Sequence, residues 1–168
     1  MTKIPPLLPH ETFVRVIRLA KLDGLSVSIV AGIFALLAAV AGDLAGAIVG
    51  LMVAGAGAVE LHGVSLLQRS LPQGMNWLVG SQLFLLCSIL TYCAVRLAHL
   101  EVPQLPDTAA QLIDVSAKQL DITREEYLRF IQRLVLQIFA GVSLLYQGGM
   151  AFYYYRRHEV VSQALTED

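Results

Sequence analysis

Charge is scarce in this chain. Of its 168 residues, 15% are Asp, Glu, Lys or Arg and 56% are hydrophobic. A typical soluble domain carries about 25% charged residues. The shortfall argues against a water-solvated globule and for lipid as the solvent. The formal net charge of −1 comes with no basic run interleaved with aromatics, so nucleic acid is not an expected partner. Cysteine is nearly absent too: Cys87 and Cys93 lie in one apolar run. On a helix they point about 120° apart and cannot bridge each other within it. Both read as small buried apolar residues. His10, His62, His99 and His158 are scattered, with no Cys or carboxylate at metal-ligand spacing, so neither a metal nor a cofactor is expected. No nucleophile stands beside a base, and no glycine loop is built to cradle phosphate. An enzyme is therefore the least favoured class.

What the chain does have is four long apolar runs. The expected fold class is an all-α integral membrane protein, a single domain of four transmembrane helices over 25–41, 44–67, 76–97 and 130–155. Each run is close to the roughly 20 residues a helix needs to cross a bilayer. A short extramembrane helix over Asp107–Leu120 is expected between the third and fourth spans, within an outer-face connection over 98–129. Ala39-Val40-Ala41 resembles a signal-peptidase site. The leader before it is long and carries Glu11 and Asp23, so the first apolar run reads as a retained helix. Residues 1–24 form a leader: a proline-rich start, then a stretch from His10 to Asp23 with Phe13, Val16, Ile17 and Ala20 against Arg15, Arg18 and Lys21. That pattern suits a helix lying among headgroups, or an extension of the first span.

The connections have their own signals. Gly42-Asp43 makes a very short turn, and Gln68 to Gly74 is a polar loop with two breakers. Thr123 followed by Glu126 predicts a capping box at the start of the last helix, whose first turns carry the Glu125–Arg129 pair. Lys3, Arg15, Arg18, Lys21, Arg69, Arg156 and Arg157 all fall on one side if both termini are cytoplasmic. The expected location is thus a prokaryotic inner membrane, with Tyr153 to Tyr155 forming the cytoplasmic aromatic belt.

Glu60 is the residue that invites a function, because it lies in a run otherwise almost all Gly, Ala, Val, Leu and Ile. An ionisable side chain at such a position has a partner or a task. On a helical wheel Gly42, Gly46, Gly50, Gly57 and Gly63 fall within about 80° of it, while His62 points away. Small residues on one face let helices approach closely in lipid, and the first helix offers a matching stripe that includes Gly32 and Ser28. Glu60 should therefore face another helix. Lys21 and Ser28 are the candidates on the first helix, and Gln82, Tyr146 and Gln147 lie at similar depth on the others. Either these groups satisfy Glu60 and fix helix register, or they line a cavity that binds a proton, cation or cationic substrate.

The leading expectation is a small oligomeric channel or transporter for an ion, proton or small solute, with Glu60 on the pathway. The alternative is a non-catalytic scaffold or accessory subunit of a larger membrane complex. A membrane enzyme acting on a lipophilic substrate comes third. Expected partners are the lipid bilayer and further copies of the chain or other membrane subunits.

Overall fold

A computed structural model describes residues 9–100 and 107–167. The described residues form five helices and no strand: α1 (Pro9–Val40), α2 (Leu44–Gln68), α3 (Gly74–Ala98), α4 (Asp107–Gln119) and α5 (Arg124–Glu167). Four of them, all but α4, are long and apolar enough to cross a membrane. Residues 1–8, which hold most of the proline-rich start, lie outside the described residues.

Of the two readings of His10 to Asp23, a separate headgroup helix or an extension of the first span, the first helix takes the second. It runs unbroken from Pro9 to Val40, because no proline interrupts His10 to Val40 and Gly24 is held by close packing rather than left to break the helix. The last helix also runs beyond Arg157. Val161 and Ala164 continue the apolar face into the core and are buried there, which gives the extra turns a tertiary reason to form.

Helix ends follow one device. At the end of α1, Asp43 N–H donates to the Ala38 carbonyl and Gly42 N–H to that of Ala39, with Gly42 at φ 77°. The same two-bond closure follows α2, with Ser70 at φ 57°, and follows α4, with Asp121 at φ 54°. This is the Schellman arrangement, which satisfies carbonyls left over at a helix C-terminus. Asp43 then caps α2 by accepting from Gly46 N–H at 3.0 Å. Thr123 and Glu126 form the reciprocal capping box of α5, with Thr123 N–H donating to Glu126 at 3.0 Å and Glu126 N–H to Thr123 at 3.3 Å.

The chain divides into two compact units, residues 1–89 with 143–168, and residues 90–142. In the first, a hydrophobic core gathers Val16 and Ala20 of α1, Val64 and Leu67 of α2, Met75 and Leu78 of α3, and Tyr154 and Val161 of α5. The start of α1, the α2–α3 turn and the end of α5 therefore meet at one end of this unit. Along the α1–α2 hairpin the glycines are unequal. A Cβ on Gly50 would lie 2.8 Å from Ala35 Cβ, and one on Gly57 would lie 2.7 Å from the Gly24 carbonyl oxygen. A Cβ on Gly63 would come within 3.0 Å of the Gly74 carbonyl oxygen, and one on Gly46 would press on the Asp43 cap. Gly32 and Gly42 meet nothing within 4 Å. Of the six glycines expected to pack helices, these two do not: Gly42 serves the turn, and Gly32 lies off the contact.

In the second unit, Arg124 at the start of α5 makes a two-bond ion pair with Asp114 of α4. That hydrogen bonding holds the Asp114 carboxyl below its ordinary range.

Two outcomes follow. Gly57→Val should lower stability in detergent by about 1–3 kcal/mol, because the new side chain would press on the Ser28 hydroxyl and on the backbones of Gly24 and Ser28. Gly32→Ala should leave stability unchanged or raise it by up to about 1 kcal/mol, through helix propensity. Equilibrium unfolding of both variants checks this. The Asp114 contribution is a depressed-carboxyl contribution: full above about pH 4 and lost as pH falls through the lowered value. Hydrogen-exchange protection at the α4–α5 connection, measured relative to the intrinsic exchange rate at each pH, should fall on acidification, and Asp114→Asn should remove that pH dependence.

Candidate functional site

The site begins with a contact between backbones. Gly24 and Gly57 sit against each other where α1 crosses α2, and Ser28 closes the same contact. A Cβ on Gly57 would overlap Ser28 and the Gly24 carbonyl, and one on Gly24 would crowd the Gly57 carbonyl oxygen at 3.0 Å. The crossing brings Asp23, the neighbour of Gly24, into range of Glu60, almost one turn beyond Gly57. Both carboxylates are enclosed: Glu60 is 1% exposed and Asp23 is 7% exposed.

Their partners come from the other two helices of the unit. Gln82 of α3 uses one amide nitrogen for both acids, donating to Asp23 Oδ2 at 2.7 Å and Glu60 Oε2 at 3.0 Å. From α5, Tyr154 donates its hydroxyl to Glu60 Oε1 at 2.9 Å, and Tyr146 donates to Asp23 Oδ1 at 2.8 Å. Each of the four carboxylate oxygens thus receives one hydrogen bond, and every donor is neutral.

No lysine, arginine or histidine is among these donors. Lys21, expected to reach Glu60, is exposed. Near the start of α1 the wheel turns Lys21 outward and Asp23 inward, about 200° apart. Ser28, the other candidate on α1, is spent on the helix crossing: its hydroxyl donates to the Ala54 carbonyl at 3.4 Å. Gln147 is buried on α5 but is not a hydrogen-bond partner of either acid, and its Oε1 has no partner. Gln82 Oε1 is likewise buried and without a partner. The structure therefore brings Glu60 together with Gln82 and Tyr146, and leaves Lys21, Ser28 and Gln147 out of the cluster.

Asp23 and Tyr154 are the two members that sequence reasoning missed. A signal for each was present. Once α1 is drawn as one helix, Asp23 shares a face with Thr12, Val16 and Ala20, all buried. Tyr154 is the one tyrosine of Tyr153–Tyr155 that lies seven residues from both Gln147 and Val161, on the inward side of α5.

Two carboxylates held only by neutral donors put like charges side by side in an enclosed space, which is costly unless positive charge joins them. The arrangement suits one proton or one small cation between the two acids. It does not suit a multiply liganded metal: among the described residues, no group of three or more His, Cys, Asp or Glu is placed to hold one. Comparison with known proteins returns no matching family model, curated protein or solved structure. The chemistry rests on this geometry alone.

Tyr154→Phe should be the more damaging of the two tyrosine changes. It strips a donor from a fully enclosed carboxylate and should cost about 1–3 kcal/mol. Tyr146 is 49% exposed and its partner Asp23 is the less enclosed of the two acids, 7% against 1% for Glu60, so Tyr146→Phe should cost less. Thermal unfolding of the two variants in one detergent gives the ranking, and equal losses would contradict it.

Proposed function

We propose that this chain is a multi-pass membrane protein that carries protons or small cations, with Asp23 and Glu60 as the shared binding point. The observation that carries this reading is the paired acid whose hydrogen-bond donors among the described residues are all neutral, an arrangement that calls for added positive charge.

The membrane boundary can be drawn from the outward faces. On α1, Arg15, Arg18 and Lys21 are exposed, and from Leu22 to Val40 the exposed residues are apolar but for Ser26, whose hydroxyl donates to the Asp23 carbonyl. Leu22 to Val40 rises about 27 Å, close to the hydrocarbon thickness of roughly 30 Å. The same length counted back along α2 from Leu44 ends near His62, whose ring packs edge-on against Trp77 at 5.4 Å. On α5 the exposed Tyr155 is followed by Arg156 and Arg157, each over an aromatic ring, Phe152 and Tyr153. These markers agree on one level. The acid pair lies just on the lipid side of it, within reach of protons or cations from the adjoining water. With Glu60 enclosed by its own chain, the path runs within one protomer rather than along an axis between copies. A proton needs only a chain of hydrogen bonds, which suits a bundle this small.

The second reading is an accessory subunit in which the cluster fixes helix register. It is favoured by the enclosure itself, since all four carboxylate oxygens already have donors.

Purified protein in sealed vesicles, with a pH gradient and varied monovalent cations, separates the two. The carrier reading expects dye-reported proton movement that drops on the order of tenfold or more in Glu60→Gln and Asp23→Asn, while both variants keep their helical content. Wild-type vesicles as tight as empty ones, or variants with undiminished flux, would favour the accessory role.

A further inference from the structure

The outward face of α1 carries a second arrangement, separate from the acid pair. A groove of about 520 Å³ runs along its first turns, with Arg15 and Arg18 beside Leu19 and Leu22 and with His10 and Glu11 at its lower end. Lys21 is exposed just beside it. Three fixed positive charges against the single carboxylate of Glu11 leave the patch net positive. On the wheel, Arg15 and Arg18 share a stripe about 80° wide with Leu22, Leu25, Ile29, Ile33 and Leu36. Those five apolar side chains are all exposed, Leu22 at 62%. The stripe therefore carries Arg15 and Arg18 with Glu11 in its first part, and is continuously apolar in its second.

We propose that this face of α1 is a binding site for an anionic phospholipid. The phosphate sits between Arg15 and Arg18, with Lys21 alongside, and an acyl chain lies along Leu22 to Ile33. The dimensions fit. Leu22 to Ile33 rises about 16 Å, close to the roughly 15 Å that one leaflet contributes to the hydrocarbon core. The planar guanidinium groups match phosphate oxygens through paired hydrogen bonds. A zwitterionic lipid has the same phosphate, but its amine would meet the three cations unfavourably. The site accordingly selects by net headgroup charge. This inference rests on the membrane reading above, and it is independent of whether the acid pair carries anything.

The test uses the full chain with vesicles of phosphatidylcholine alone or mixed with phosphatidylglycerol. Flotation with pure phosphatidylcholine vesicles, resistant to alkaline washing, reports insertion by itself; failure there would sink the membrane reading and the lipid site with it. Lipid retained by the detergent-purified protein then reports the site. The expected result is enrichment of phosphatidylglycerol over its share in the vesicles, falling roughly fivefold for each arginine removed in Arg15→Gln and Arg18→Gln. Arg156→Gln with Arg157→Gln, on α5, should leave most of the enrichment. An inserted wild type with no enrichment would overturn the proposal. So would enrichment that survives the Arg15 and Arg18 changes, or that is displaced by millimolar inorganic phosphate, which would identify a free-anion site instead.

Discussion

The close approach of Gly24 and Gly57 is the constraint on which the rest of the first unit depends. With no side chain on either residue, the backbones of α1 and α2 press together and each carbonyl fills the space a neighbouring methyl would need. The contact is short in sequence terms but sets the relative height of the two helices. That height puts Asp23 beside Glu60. Below it, the same register brings Val16 and Ala20 into the core with Val64 and Leu67. One small-residue crossing thus fixes both an apolar core and a polar cluster, which is the economy that close backbone packing offers.

The polar cluster is specific rather than stabilising in any simple sense. An apolar pair of the same shape would avoid the desolvation of two acids. What the five side chains add is geometry. Gln82 can serve both carboxylates from one nitrogen only if α3 stands at one height against α1 and α2. Tyr146 and Tyr154 lie eight residues apart, a little over two turns of α5, and bind different acids. Four helices are thereby tied to one point by hydrogen bonds from neutral donors; on the carrier reading proposed above, a proton or cation arriving there would be felt by all of them.

Much of this architecture is legible in the sequence, because it is written in long apolar runs and in short-range signals. The four long helices, the short one before the last, the Gly42-Asp43 turn and the Thr123–Glu126 box all depend on neighbours along the chain. The carboxylate at Glu60 stands out for the same reason, and Gln82 and Tyr146 are reachable by depth alone. What escapes is what depends on continuity and rotation. Leaving open whether residues 10–23 are a separate helix or an extension of the first span hides the fact that Asp23 belongs to the inner face of a helix that runs on to Val40. A belt of three tyrosines looks uniform until α5 is known to continue past Arg157, when the face through Tyr154 and Val161 becomes the inward one. Lys21 fails as a partner through the same geometry, since two residues of sequence turn a helix by about 200°.

The position of the acid pair also has an electrical meaning. Asp23 follows the last basic residue of the outward face of α1 by two positions, so with the apolar faces in lipid it is only about 3 Å deeper than Lys21 along the helix. A unit charge crossing the whole membrane gains about 2.3 kcal/mol per 100 mV. A charge arriving at Asp23 from the adjoining water crosses only a small fraction of that field. Occupancy of the pair would therefore follow the composition of the nearby compartment and be nearly indifferent to membrane voltage. The electrical work would fall on whatever step lies beyond it, in the apolar remainder of the helices.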